Sequence, residues 1–213
     1  MWRKICTRDS FINYFSTNDR DLQAVISAIL LAAGTSLRYG KDNKLLVKYK
    51  KKPLLSYSLK ALLKSKVKDI VVVLGKDKQK ILEEIPQNKK IKVIFNKNYK
   101  RGMASSILTG LKKINKNSHG FMVCLSDMPK IKSYTYNKII NHFNKNKKIP
   151  CVPHYKHKNG NPVCFPISFK SKIKNIKGDQ GAKKILLMNN FNKVNIKSNS
   201  ILIDFDKKSD FKK

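Results

Sequence analysis

The stretch Ala24–Gly34, AVISAILLAAG, decides how the rest of the chain is read. It is apolar from Ala24 to Leu31 except for Ser27, and it breaks at Ala-Ala-Gly. That is the pattern of a strand buried on both faces of a parallel sheet and released into a loop. Downstream, LLSYSLKALLKS (54–65) carries Leu54, Leu55, Tyr57, Leu59, Leu62 and Leu63 at helical spacing behind Pro53, a residue suited to a helix start. DIVVVLG (69–75) predicts a second strand, KDKQKILEEI (76–85) a short helix, and IKVIFN (91–96) a third strand. A helix over Ser105–Ile114, with Ser105 or Ala104 near its cap, leads to a fourth buried strand, GFMVCL (120–125), which ends at Ser-Asp-Met-Pro. A helix over Ser133–Phe143, an extended PCVPHY (150–155), a Gly-Asn-Pro turn into VCF, a helix over GAKKILLMN (181–189) and a final strand ILIDFD (201–206) complete the order.

Strands separated by helices at this spacing demand a mostly parallel central sheet with helices on both faces and right-handed crossovers. The expected class is α/β, a Rossmann-like three-layer sandwich. Ligands of such sheets sit beyond the carboxyl ends of the strands. Chemistry is therefore sought after Leu31, Leu74, Asn96, Leu125 and Ile203. The Asn/Lys tracts at 145–148 and 189–193 read as solvated loops.

A chain of 213 residues suits one α/β domain, read here as 23–213, with 1–22 as a separate N-terminal arm. The arm reads equally as a docking segment, a remnant of an upstream region or a mis-called start. Apolar residues make up 41%, and no stretch approaches the roughly 20 apolar positions of a membrane helix. Spanning and disordered classes drop out. Lys and Arg total 47 against 13 acids, a net charge of +34, which points first to nucleic acid. The charge is almost all Lys, however, and is scattered along the chain with abundant Asn and Ile, as AT-rich codons would give. A nucleic-acid binder gathers its charge in a patch or tail. Nucleic acid and membrane are thus set aside as partners, and a basic nucleic-acid-binding module on the same fold stays as the non-enzyme rival. Arg occurs only at 3, 8, 20, 38 and 101. Cys6, Cys124, Cys151 and Cys164 form no CxxC pair and read as free thiols in a reducing compartment. With no secretory signal in the opening residues, a cytoplasmic protein is expected. His119, His142, His154 and His157 lack metal-ligand spacing and read as surface residues.

The loop LAAGTSLRYGKDNK (31–44) has small residues, two hydroxyls, Arg38 and Lys44. It reads either as an ordinary surface loop or as a cradle bringing backbone N–H groups to phosphate, with Arg38 as a fork and Lys44 as a point charge. It matches neither GxxxxGK[ST] nor GxGxxG. Asp127, after an apolar strand and before Met-Pro, reads as a turn residue or as a carboxylate anchoring magnesium with substrate phosphates. In ILIDFD, period-2 alternation puts Asp204 and Asp206 on one side. Spacing leaves Asp206 equally a second metal-side acid or a solvated strand end. Ser105 and Ser106 suit an anion or a base edge at a helix start, and equally a simple cap.

Taken in order, the loop 31–44, GMASSILTGL (102–111), LSDMP (125–129), GNPVCF (160–165), GDQGAKKIL (178–186) and DFDKKSD (204–210) resemble a known motif series. It is that of the nucleotidyltransferases with a GT-A-like Rossmann core, and within them of the molybdenum cofactor cytidylyltransferase branch. The resemblance spans about Ile26 to Asp210. One departure is visible: the family reads Asp-Ile-Asp-Thr-Pro-Glu-Asp near the end, and here Asp204, Asp206 and Asp210 remain while Thr-Pro-Glu is lost.

The resemblance implies a Mg2+-dependent enzyme with Arg38, Lys44 and Asp127 as its catalytic residues and Asp127 and Asp206 on the metal. Nucleotide would be held by Leu31, Ala32, Ala33, Gly34, Thr35, Ser36, Arg38 and Lys44, with Asn96, Gly102, Ser105 and Ser106. The acceptor would be held by Asn161, Pro162, Gly178, Asp179 and Gly181. The implied reaction moves CMP from CTP to the phosphate of a molybdopterin-type cofactor and releases pyrophosphate. A molybdenum cofactor guanylyltransferase is the nearest alternative, then a sugar- or alditol-phosphate nucleotidyltransferase. The implied partners are a nucleoside triphosphate, a pterin-phosphate cofactor and a molybdoenzyme or its maturation factor.

Overall fold

The computed structural model describes residues 23–36, 39–40, 42–174, 178, 186 and 189–212. Its first strand, β1 (Ile26–Ala32), is buried along all seven residues. A hairpin of β2 (Lys48–Tyr49) and β3 (Lys52–Pro53) leads into α1 (Leu54–Leu63). Then follow β4 (Asp69–Leu74), α2 (Lys78–Glu83), β5 (Ile91–Phe95), α3 (Met103–Leu111), β6 (Gly120–Leu125) and α4 (Ser133–Lys145). The later elements are β7 (Cys151–Tyr155), β8 (Lys158–Asn159), β9 (Val163–Pro166), α5 (Phe169–Ile173) and β10 (Asn192–Asn195).

The main sheet runs β10-β7-β9-β6-β1-β4-β5, with β8 paired to β7. β1 is parallel to β4 and β6, β4 to β5, and β10 to β7. β9 runs antiparallel to both β6 and β7. A mostly parallel α/β sheet is therefore present, as the element order requires.

Alternation along the central strands sorts their side chains into two cores. Ala28, Leu30, Ile70, Val72, Met122 and Cys124 pack with Leu55, Leu59 and Leu62 of α1 and Ile139, Ile140 and Phe143 of α4. Ile29, Val71, Val73, Phe121 and Val123 pack with Ala104, Ile107 and Leu111 of α3 and Phe169 and Ile173 of α5. Each large side chain fully buried in this way contributes roughly 1.5–3 kcal/mol of transfer free energy. At the amino edge of the sheet, buried Asp69 accepts from Ser27 Oγ at 2.5 Å and pairs with Lys92 Nζ at 2.6 Å, so its charge is not left uncompensated.

Several expectations are corrected. ILIDFD is not a strand: residues Asn199–Leu202 form a 3-10 turn and 203–206 are irregular. The segment bonds to loops instead of to a neighbouring strand, with Asn161 N donating to Ile201 O and Phe205 N to Asp127 O. The third long helix starts at Met103, two residues before Ser105, and ends at Leu111. The tract read as loop at 189–193 contains the start of β10, whose Val194 is buried against the sheet and outweighs its polar neighbours. The expected helix over 181–189 falls almost wholly outside the described residues. Cys124, Cys151 and Cys164 are free and buried, and Cys6 lies outside the described residues. Among the described residues no helix is long and apolar enough to cross a membrane.

Candidate active site

The carboxyl ends of β1, β4, β5 and β6 lie side by side, and the loops that leave them carry the site. Behind β1, Ala32 and Ala33 are buried, Gly34 is exposed, and Thr35 and Ser36 are half-buried. Ser36 takes a left-handed conformation, φ 56°, and its hydroxyl accepts from Lys44 N at 3.3 Å. A short 3-10 turn over Lys44–Leu46 follows, capped by the Asn43 side chain, which accepts from Leu45 N. Asn before an apolar pair is an ordinary helix-start signal, so this cap was readable from sequence.

The Lys44 ammonium lies between two carboxylates. Its Nζ is 2.7 Å from Asp127 Oδ2 and 2.5 Å from Asp206 Oδ1. Lys44 is only 12% exposed, against 19% for Asp127 and 27% for Asp206. Burial on its own would lower the lysine pKa, but the charge and hydrogen bonds of Asp127, then those of Asp206, raise it above 10.5. Lys44 is therefore a fixed cation at neutral pH. The backbone locks the two acids together as well: Phe205 N donates to Asp127 O, and Asp210 Oδ2 accepts from Asp206 N and Lys207 N. Asp204 stands close by. Partial burial and then the charge of Asp127 push its carboxyl above 3.8.

This arrangement fits a divalent cation completed by substrate. Asp127 Oδ1 is buried with no hydrogen-bond partner among the described residues, a cost usually met by a cation or water. No group of three or more His, Cys, Asp or Glu among the described residues is placed to hold a metal ion without help. Two carboxylates plus phosphate oxygens are the ordinary environment of magnesium, which seldom has an all-protein cage.

Asn96, Ser105 and Ser106 also come together. Asn96 Nδ2 donates to Ser105 Oγ at 2.8 Å and to Ser106 Oγ at 3.0 Å, which joins the end of β5 to the first turns of α3. Ser105 Oγ also donates to the Asn98 and Gly102 carbonyls. Gly102, with φ 92°, makes the turn before α3 in a region that L side chains rarely enter. Arg101 is exposed beside it.

On the other side, Gly160 packs so tightly on the Ile201 carbonyl that no Cβ would fit. Asn161 is half-buried, Pro162 is buried, and Gly178 is exposed with φ 65°. Arg38, Asp179 and Gly181 lie outside the described residues. Sequence reasoning missed Asn43, Asp77 and Gly75. A Cβ on Gly75 would stand 2.7 Å from Ala33 O and 2.8 Å from Tyr99 Cβ, so this glycine sets the approach of three loops. A cavity of about 260 Å³, lined by Asn43, Asp77 and Lys80 among others, adjoins these loops. A larger one, about 570 Å³, opens at the opposite edge around Lys66, Lys68, Lys89 and Lys90, away from the carboxylates.

Comparison with known proteins bears on this geometry. The family described as the MobA-like NTP transferase domain matches residues 28–194. A probable molybdenum cofactor guanylyltransferase of Thermococcus sibiricus is 30% identical over 132 residues, 61% of this chain and 62% of that protein. A 2-C-methyl-D-erythritol 4-phosphate cytidylyltransferase of Lachnoclostridium phytofermentans is 36% identical over 127 residues, 57% of this chain and 53% of that protein. The chain thus spans somewhat over half the length of these relatives. The crystal structure of Rv0371c from Mycobacterium tuberculosis superposes with a TM-score of 0.79 at 20% identity, covering 90% of this chain and 97% of that one. Another structure of that protein, in complex with manganese, gives a TM-score of 0.68 at 18% identity over 81% and 89% of the two chains.

Proposed function

The chain belongs to the MobA-like NTP transferase domain family, and from that premise we propose that it transfers a nucleoside monophosphate to the phosphate of a molybdopterin-type cofactor. The observation that supports this most is the Lys44 ammonium held between Asp127 and Asp206 behind the glycine loop of β1. In the reaction, a phosphate oxygen of the acceptor bonds to the α-phosphorus of the triphosphate. The bond from that phosphorus to the bridging oxygen breaks, and pyrophosphate leaves with the electron pair. Both reactants are anions, so the site must reduce their repulsion and meet the charge that grows on the leaving group.

Lys44 meets part of that charge, and Arg38 is assigned to the same task. The backbone of residues 31–36 cradles the phosphates, and Asn96, Gly102, Ser105 and Ser106 flank the nucleotide. Asn161, Pro162, Gly178, Asp179 and Gly181 are assigned to the acceptor. No general base is required, because the attacking phosphate is ionised near neutral pH. Asp127 and Asp206 would hold Mg2+, which when bound supplies positive charge to the phosphates. A cytoplasmic protein with one catalytic domain over 23–213 is the setting in which we place this activity.

CTP is the favoured donor on the strength of the motif series, and a guanylyltransferase is the second reading because the Thermococcus relative carries that description. The test is pyrophosphate release from CTP, GTP and ATP with a molybdopterin-type acceptor. CTP should lead, and Asp127→Asn should abolish turnover. A clear preference for GTP would reverse the choice of base. Release from none of the three, joined to steeply salt-dependent binding of nucleic acid, would favour the basic binding module instead.

A further inference from the structure

Two non-glycine residues near the site are held in the left-handed region, Ser36 at φ 56° and Asp77 at φ 54°. Such conformations cost of order 1 kcal/mol or more and persist only where their surroundings impose them. They lie on different loops, Ser36 behind β1 and Asp77 behind β4, where it starts α2. One side chain joins them. Asn43, 4% exposed, accepts at Oδ1 from Leu45 N at 3.1 Å and from Ser36 Oγ at 3.5 Å. Its Nδ2 donates to Asp77 Oδ2 at 3.2 Å and to Lys76 O at 3.5 Å. Ser36 Oγ in turn accepts from Lys44 N. The backbone from which Lys44 reaches Asp127 and Asp206 is thus tied to both loops through a single buried amide.

We propose that Asn43 is a positioning residue for nucleotide binding: bonded to Ser36, Leu45 and Asp77, it sets the phosphate loop and the starting point of the Lys44 side chain. The inference rests on the nucleotidyltransferase reading and adds to it a residue that touches no reacting atom. Its signature is an asymmetry of donors. Position 43 must both accept, from Leu45 N and Ser36 Oγ, and donate, to Asp77. Aspartate can do only the first, and it would set two carboxylates about 3 Å apart, where like charges repel strongly.

The experiment compares wild type, Asn43→Asp and the exchanged pair Asn43→Asp with Asp77→Asn, by calorimetric titration with magnesium and CTP or GTP and by thermal melting. Asn43→Asp should bind triphosphate at least tenfold more weakly. The exchanged pair returns a donor opposite an acceptor, and asparagine tolerates the left-handed conformation at 77. It should recover binding to within about threefold of wild type. A residue with a purely structural role would lower the melting temperature of the single variant and leave the affinity of the folded protein alone, and that result overturns the proposal. So does an exchanged pair that binds as weakly as Asn43→Asp. If Asn43→Asp does not fold, the exchanged pair decides alone: near-wild-type affinity supports the proposal, and a tenfold loss overturns it. A wild-type protein that binds no triphosphate is a different failure, since it removes the nucleotidyltransferase reading and the positioning role with it.

Discussion

Replacing Lys44 by methionine removes a charge while keeping the length and much of the bulk of its side chain. In the structure this ammonium meets Asp127 at 2.7 Å and Asp206 at 2.5 Å, with 12% of Lys44 exposed. Its loss leaves two partly buried carboxylates facing each other with Asp204 nearby. Removing one member of a buried ion pair costs about 3–5 kcal/mol. The partial exposure of both acids argues for the low end, about 3 kcal/mol near neutral pH without metal. The rate should fall further, because one fixed cation at developing charge is worth about 10²–10³ in turnover, or roughly 3–4 kcal/mol. Denaturant unfolding in the presence of chelator reads the first quantity and pyrophosphate release the second. The sign with pH is also fixed. The folded pKa of Lys44 lies above the unfolded 10.5, so its contribution is whole below that value and is lost as pH rises through the folded pKa. Wild type should show this alkaline loss and Lys44→Met should not. In addition, magnesium should raise the melting temperature of the variant more than that of wild type, since it supplies the missing charge. A variant within threefold of wild-type turnover, equally stable and no more responsive to magnesium, would refute the reasoning.

The Asp204 carboxyl is raised as well, but here it is the neutral form that the fold favours: burial and the charge of Asp127 hold its folded pKa above 3.8, so stability declines as pH climbs through the interval just above that value. Asp204→Asn should therefore melt higher than wild type at pH 7 in calorimetry, and the difference should shrink as pH falls below 3.8. Gly75→Ala forces a methyl against Ala33 O and Tyr99 Cβ and should cost about 1–3 kcal/mol in denaturant unfolding, with weaker triphosphate binding in titration. Asn96→Ala strips the amide that serves both serine hydroxyls and should lower stability by about 1–3 kcal/mol, read from the same denaturant curves. Phe143→Ala, at a fully buried position of α4 away from the carboxylates, should cost about 3–5 kcal/mol while the folded protein keeps its affinity for triphosphate.

The sheet was legible because its central strands announce themselves. β1, β4 and β6 are almost unbroken apolar runs, and their boundaries were read to within two residues. Weak strands were not legible: Asn192–Asn195 presents one buried side chain, Val194, among polar residues, and only its place beside β7 makes it a strand. ILIDFD failed for the converse reason, since its alternating pattern is real but its hydrogen-bond partners are the loops at Asn161 and Asp127. Among site residues, Asp127 was found from its place at the end of an apolar strand. Its grouping with Lys44 and Asp206 came only from the motif resemblance and from no local pattern, because the contacts of Lys44 with Asp127 and with Asp206 close over 83 and 162 residues. For Asn43 only half of the role is legible: its cap to Leu45 is local and carries a helix-start signal, but its bond to Asp77 crosses from one loop to another, and no periodicity records that.

Asp206 arrives eleven residues after β10 has closed the edge of the sheet at Asn195, carried by a segment that is pinned at Ile201 and Phe205. The strands are therefore all synthesised before the residues that finish both the core and the carboxylate cluster. A ribosome that stalls past Asn195, or a protease that clips the tail beyond it, would release a body with its strands present but without Asp204, Asp206 and Asp210 and without the buried Ile196, Ile201 and Phe205. Such a product should betray itself twice, by a lowered melting temperature from the exposed core and by the loss of its chemistry.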